Sequence, residues 1–365
     1  MRGVKIQIVA FLAFFLAIAP AVNAQLQPGF DKTEYKEMLK MAVSVADTPW
    51  TNQRFIPEQF ELAYRSPVTG LENRWDLWIH NSECIAAISI RGTTGSSVSW
   101  LENFYAAMVP ANGSFQLTKN QSFEYQLASN TRAAVHVGWL MGLGYMAEGI
   151  QRKIDSCYAL GYRDFYLTGH SQGGGISFLL TAYLRMLQIN GQLPQEIRFK
   201  TYSSAAPKPG NLYFAYDYEI MTAEGWAFNV VNTADWVPEA PFSVQTVRDF
   251  NKTNPFVNAK STIKKQPFPK RIMMNYAYRK LNRPTKKAVK NYRKFLGGTA
   301  GKLVSQSLSE FKPPDYLNEN NYVRTGSTIV LYADEQYYDK YPDNPANVFM
   351  HHMAGPYLYL LEKLP

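Results

Sequence analysis

Asp164-Phe165-Tyr166-Leu167-Thr168-Gly169-His170-Ser171-Gln172-Gly173-Gly174-Gly175 decides how this chain is read. An apolar run ends in a five-residue Gly-His-Ser-Gln-Gly turn. An apolar helix follows, beginning Gly174-Gly175-Ile176-Ser177-Phe178-Leu179-Leu180. A serine on such a strand-to-helix turn is held in a strained backbone with its hydroxyl clear of the sheet, and glycines two before and two after leave room for neighbouring backbone. The helix aims its free N–H groups and positive dipole end at the spot where a negative oxygen develops in acyl transfer. Ser171 is therefore the candidate nucleophile. The G-x-S-x-G pattern alone is weak; the apolar strand before it and the apolar helix after it give it weight.

The chain is built like a globular protein, with 365 residues, 46% of them apolar and 14% aromatic. Its start reads differently. Arg2 and Lys5 precede an apolar run from Ile8 to Ala19, followed by Pro20 and the small-residue exit Ala21-Val22-Asn23-Ala24. This predicts a secretory signal over residues 1–24, cut after Ala24, and a secreted or periplasmic mature protein over residues 25–365. Export permits a disulfide between Cys84 and Cys157, but two cysteines at these positions are more often small buried apolar residues. No metal is expected: of the five histidines and two cysteines only the adjacent His351 and His352 lie close together. Nor does any stretch call for another cofactor.

Apolar residues at helical spacing predict a helix from Asp31, its N-cap, to Ala46. Arg74 to His80 alternates polar and apolar as a half-buried strand does, and Cys84 to Ile90 is a second strand running into Arg91-Gly92-Thr93-Thr94-Gly95. Between Ser96 and Arg132 the chain reads as polar and loop-rich, apart from a sticky helical face in Trp100 to Met108. A long helix from Gly138 to about Leu160 leads to the Ser171 turn. Further strands are expected at Arg198 to Ser204, Ala227 to Asn232 and Thr328 to Tyr332. Strands alternating with helices imply an α/β architecture, a mainly parallel sheet covered on both faces.

A section from about 243 to 325 interrupts this rhythm. From Lys252 to Lys302 there are fifteen Lys or Arg and no Asp or Glu. The whole chain carries +9, so removing these fifteen cations leaves an acidic remainder of −6. The basic excess is confined to this insertion and no nucleic-acid module accompanies it, which argues against a nucleic-acid binder. Thr285 to Leu296 places Ala288, Val289, Tyr292, Phe295 and Leu296 on one helical face among cations, which suits peripheral contact with an anionic membrane; the alternative is a helix packed on the body.

Ser171 needs a base, most often a histidine oriented by a carboxylate. Of the histidines, only His351 and His352 follow the serine with room for an acid between, the order Ser, Asp, His of α/β-hydrolases. The acid expected is Asp235, just past the strand Ala227 to Asn232, where sites on parallel sheets assemble. Asp217, in an expected surface helix, has the weaker claim.

These segments together resemble the class 3 lipases, the family of the filamentous-fungal lipases. The matching pieces are Ile90-Arg91-Gly92-Thr93, Val135-His136-Val137-Gly138, Gly169 to Gly174, Ala206-Pro207-Lys208-Pro209-Gly210-Asn211, Asn232-Thr233-Ala234-Asp235-Trp236-Val237-Pro238, and His352 five residues before Tyr357. They run in family order from about residue 75 to 360. The resemblance implies an α/β-hydrolase fold and a triad of Ser171, Asp235 and His352. It also implies an oxyanion hole from the backbone N–H groups of Thr93 and Gln172 helped by the Thr93 hydroxyl, and a lid containing Trp100 to Met108. The family more often has Leu at the place of Gln172 and an aromatic at that of Ile90, and the basic insertion is unusually long. The function expected is a lipase acting on acylglycerol esters at a lipid surface. The rivals are an esterase or phospholipase with the same site, or a non-catalytic lipid-binding relative.

Overall fold

The structure, a computed structural model, describes residues 26–44 and 55–365. The expected signal segment, residues 1–24, lies outside the described residues, as do the last residues of the helix expected to reach Ala46. Helix α1 (Lys32–Ser44) precedes strands β1 (Phe60–Arg65), β2 (Trp75–His80) and β3 (Ile85–Ile90). Helix α2 (Ser97–Phe104) and strand β4 (Met108–Pro110) follow, then β5 (Asn112–Thr118), β6 (Gln121–Gln126) and β7 (Ala134–His136), which runs into α3 (Val137–Ala159). Next come β8 (Asp164–His170), α4 (Gln172–Ile189), β9 (Arg198–Ser204), β10 (Gly210–Asn211), α5 (Leu212–Met221) and β11 (Ala227–Asn232). The basic section holds α6 (Ala259–Lys264), α7 (Phe268–Tyr292) and α8 (Ala300–Ser307). Beyond it lie β12 (Tyr322–Val323), β13 (Ser327–Leu331), α9 (Glu335–Lys340) and α10 (Ala354–Glu362).

The seven-stranded main sheet runs β1-β2-β3-β8-β9-β11-β13. Its first two pairings are antiparallel, and every pairing from β3 to β13 is parallel. This is the expected α/β-hydrolase fold. Strand β8 is central and buried along its whole length, because its alternating side chains enter two cores. Phe165 and Leu167 join the layer of α3 and α4 with Leu140, Ile150 and Phe178. Tyr166 joins the layer of α1 and α10 with Tyr35, Met38, Tyr357 and Leu360. A strand covered on both faces reads as a continuous apolar run, which is why it was legible. Strand β2 is more buried than its alternation suggested, for the same reason. Asp31 caps α1 as expected, its Oδ1 accepting from the N–H groups of Thr33 at 2.7 Å and Glu34 at 2.9 Å.

Three expectations need correction. The stretch from Ser96 to Arg132 is not mostly loop: β5 and β6 form an antiparallel hairpin whose Phe115, Leu117, Phe123 and Tyr125 are buried. The helix expected through Met108 ends at Phe104. Cys84 is exposed where a small buried residue was expected, while Cys157 is buried; both are free thiols, the reading favoured over a disulfide. The basic section occupies the connection between the parallel neighbours β11 and β13, so it extends the sheet's last crossover without interrupting a strand pair. Among the described residues no helix is long and apolar enough to cross a membrane.

Candidate active site

Ser171 stands between the last residue of β8 and the first of α4 with φ +61° and ψ −130°. A non-glycine residue in that region costs on the order of 1–3 kcal/mol and persists only where its surroundings enforce it. They do so here by close approach. A Cβ on Gly169 would lie 2.2 Å from the Gly173 carbonyl, and one on Gly173 would lie 2.2 Å from the Ile90 carbonyl oxygen of β3. The Ser171 N–H donates to the Ser204 carbonyl at the end of β9, 3.0 Å away.

Asp235 lies three residues beyond β11, and His352 in a single helical turn (Met350–His352) just before α10. The two meet: His352 Nδ1 donates to Asp235 Oδ2 at 2.7 Å, with both side chains buried. Asp235 is held further by the Tyr357 hydroxyl at 2.8 Å on Oδ2 and the Val237 N–H at 3.0 Å on Oδ1. Burial works to raise the Asp235 pKa, but the His352 ring and these hydrogen bonds outweigh it and keep the carboxyl below its usual value. His351 points elsewhere, with Nδ1 against the Tyr337 hydroxyl and Nε2 against Asp343. Asp217 accepts from the N–H groups of Ser129 and Asn130, a loop-fixing role.

His170 has a part that the sequence did not reveal. Its ring lies 4.8 Å from the His352 ring, and Nε2 donates to the His352 carbonyl at 2.7 Å. Nδ1 must then accept, and its partner is the Ser204 hydroxyl at 3.1 Å, which in turn accepts from Tyr35 at 2.7 Å. Burial pushes the His170 pKa down to about 3, with the neighbouring His352 adding to the shift, so the ring stays neutral and this donor direction is fixed. The chain Tyr35–Ser204–His170 thus clamps the backbone of His352.

The loop after β3 closes the site from the other side. A Cβ on Gly92 would come within 3.0 Å of the His170 carbonyl oxygen. The Thr93 hydroxyl donates to Gln172 Oε1 at 2.7 Å and accepts from Asn103 Nδ2 at 2.8 Å. Its one hydrogen is directed at Gln172, and the hydroxyl joins the loop to α4. Asn103 is fixed by the Trp139 indole N–H at 3.0 Å, and the neutral His136 ring caps α3, stacks on Trp139 and holds the Asn103 carbonyl.

Beneath this lies Glu102, on the inner face of α2 and fully buried. Its carboxyl is bonded by Asn73 Nδ2 at 2.8 and 3.1 Å and by the Gln172 side chain. Room for it comes from Gly142 of α3, where a Cβ would lie 2.3 Å from Glu102 Oε1. Burial raises its pKa to about 8, with the bonds from Asn73 and Gln172 opposing the rise. A carboxyl held protonated in the folded state while the unfolded chain ionises at about 4.5 makes stability fall as pH rises between those values, by about 1.4 kcal/mol per pH unit. Glu102→Gln keeps the shape and removes the titration. Urea unfolding at pH 5 and pH 8 should therefore show the variant gaining on the parent as pH rises; parallel behaviour of the two would show that Glu102 is ionised in the fold.

The mouth of the site is apolar. Trp100 of α2 and Trp236 both pack on Phe349, at 5.8 and 5.6 Å between ring centres, and Phe349 lies 5.9 Å from the His352 ring. Phe104, Trp236 and Val348 are exposed around it. Helix α2 thus buries its polar residues Ser99 and Glu102 and turns Phe104 to solvent, the reverse of an ordinary surface helix.

Residues 87–245, which contain Thr93, Ser171 and Asp235, match the family model described as lipase (class 3). Over this stretch the chain is similar to the class 3 lipases. Solved structures similar to it include Rhizomucor miehei triacylglyceride lipase, at 20% identity over 57% of this chain and 73% of that one with a TM-score of 0.42. Lipase II from Rhizopus niveus matches at 18% identity over 57% and 74%, TM-score 0.41. Lipase from Rhizopus microsporus var. chinensis matches at 18% over 62% and 76%, also with a TM-score of 0.41. No curated protein matches the chain significantly. The class 3 lipase match ends at residue 245, before the basic helices begin, and does not reach His352. Among the described residues no cluster of His, Cys, Asp or Glu is arranged to hold a metal.

Proposed function

We propose that this protein is a lipase of class 3, a serine carboxylic ester hydrolase that cleaves acylglycerol esters at a lipid interface. The observation that carries the reading is the His352–Asp235 hydrogen bond, which spends Nδ1 on a buried carboxylate and reserves Nε2 for a hydroxyl. In this reading Ser171 attacks the ester carbonyl as His352 takes its proton, and the ester bond breaks as His352 returns that proton to the departing alcohol. Water, activated by the same ring, then releases the acid. Asp235 orients the ring and stabilises its charged form. The oxyanion is received by the backbone N–H groups of Thr93 and of Gln172, the first residue of α4, where helix N–H groups have no carbonyl of their own helix to bond. The Thr93 hydroxyl and the Gln172 amide hold the two donors at a fixed separation.

The apolar rim of Trp100, Phe104, Trp236 and Val348 supports action at an interface over action on dissolved esters, since a polar rim would suit the latter. The test is the rate on a triacylglycerol as its concentration passes the solubility limit. A lipase should accelerate once droplets form; a rate already saturated below that limit would make the protein an esterase. The reading includes residues 1–24 as a secretory signal and 25–365 as one hydrolase unit carrying the insertion of about 243–325. Contact of that insertion with an anionic membrane also belongs to it.

A further inference from the structure

Helix α7 has two unlike sides. Met274, Tyr278, Asn282, Thr285, Val289 and Tyr292 recur every three or four residues, and all are at least half-buried. This is the stripe by which the helix lies on the body. The apolar face expected to meet lipid in Thr285 to Leu296 is therefore in large part this packed stripe: Val289 is buried, and Ala288, Tyr292 and Leu296 are half-buried. Phe295 is the member of that face that stays exposed, at 52%.

The opposite side is another matter. Phe268, Ile272, Met273 and Tyr276 share it and are 66, 55, 66 and 63% exposed. Farther along the same side the chain places Arg279, Lys280, Arg283, Lys287 and Lys290, all exposed. At about 3.6 residues per turn these nine residues occupy somewhat less than half of the helix circumference. One outer face thus passes from bulky apolar side chains at its N-terminal end to cations at its C-terminal end, with Lys280 reaching back over the Tyr276 ring at 5.4 Å. No carboxylate interrupts it, since none occurs from Lys252 to Lys302. The helix is anchored at its far end, where the turn Arg293–Thr299 that follows it accepts a hydrogen bond from the Ala107 N–H at Leu296.

We infer that the outer face of α7 docks this protein on an anionic lipid bilayer, with Phe268, Ile272, Met273 and Tyr276 entering between the headgroups and Arg279, Lys280, Arg283 and Lys287 lying on them. The occupant follows from the chemistry of the face. Four large apolar side chains in open water favour transfer to an apolar layer. A row of unopposed cations beside them selects a surface that is both anionic and apolar within one helix width. A nucleic acid satisfies the cations and leaves the apolar end in water. The inference rests on the lipid-directed reading above and places its membrane contact on the outer face of α7 from Phe268 to Lys287.

The test uses full-length mature protein carrying Ser171→Ala, so that hydrolysis does not alter the vesicles and the result is independent of turnover. Co-sedimentation is measured with vesicles of phosphatidylserine and phosphatidylcholine in equal parts, and with phosphatidylcholine alone. Binding to the anionic vesicles only, weakening as salt rises, is expected. Replacing Arg279, Lys280, Arg283 and Lys287 together by Gln should weaken it about tenfold or more. Ile272→Ser with Tyr276→Ser should also weaken it while leaving the thermal midpoint close to the parent's. As a check that needs no loss of binding, a tryptophan at 273 (Met273→Trp) should shift its emission to the blue on the anionic vesicles. Equal sedimentation of the Gln variant, an unshifted tryptophan, or binding to duplex DNA without binding to vesicles would each overturn the inference. None of these outcomes bears on ester turnover, which the unsubstituted protein reports separately on a soluble ester.

Discussion

Ser171→Ala should leave a folded protein whose ester turnover is lower by about 10⁶-fold, the scale of loss when a triad serine is removed. The hydroxyl is the only atom deleted, so binding and the oxyanion donors remain and set the residual rate. The backbone at 171 gives this prediction a second arm. With φ at +61° the position holds a side chain that the conformation disfavours, and Ser171→Gly should relieve that strain while losing turnover just as fully. A gain of about 1 kcal/mol in unfolding free energy is expected for the glycine variant. Lost activity with gained stability is the mark of strain kept for function. If Ser171→Gly were instead destabilising, the turn would be held by the serine side chain and not by its neighbours.

His352→Ala should cost turnover on the same scale, because without a base the Ser171 hydroxyl is a poor nucleophile. The adjacent His351 is the internal control. It is bonded to Tyr337 and Asp343, away from Asp235, so His351→Ala should lower kcat by no more than a few-fold. The double variant Ser171→Ala with His352→Ala should be no slower than either alone, since groups that act as a unit fail together. Comparable losses from His351→Ala and His352→Ala would contradict the geometry.

Much of this was legible in the sequence, and what was missed has physical causes. The central strand and its turn stood out because β8 is apolar on both faces and the turn glycines are demanded by backbone contacts under 3 Å. Asp235 was legible from its place just past a parallel strand. The spacing to Tyr357 favours His352 over His351, and in the fold their rings diverge because Tyr337 and Asp343 take one and Asp235 takes the other. Glu102 looks like a surface residue of an amphipathic helix. It is buried because Gly138 and Gly142 of α3 let α2 approach, a pairing that no period in either segment encodes. The hairpin of β5 and β6 did carry a signal, the alternation of Phe115 and Leu117 and of Phe123 and Tyr125 about Lys119-Asn120, but its other residues are polar and it read as loop. Helix α7 contains Pro284 in its interior. The helix runs through, since a proline on an exposed side forfeits one bond and the packed stripe on the other side carries the rest.

The most direct test of the central claim is to locate covalent attachment by a fluorophosphonate ester, which forms a stable tetrahedral adduct only with an activated serine. Peptide mass spectrometry after brief exposure should find one adduct, on Ser171, formed far more slowly in Asp235→Asn, where the His352 ring loses its orienting carboxylate. Labelling of a different serine, or labelling of Ser171 at an undiminished rate in Asp235→Asn, would contradict the account.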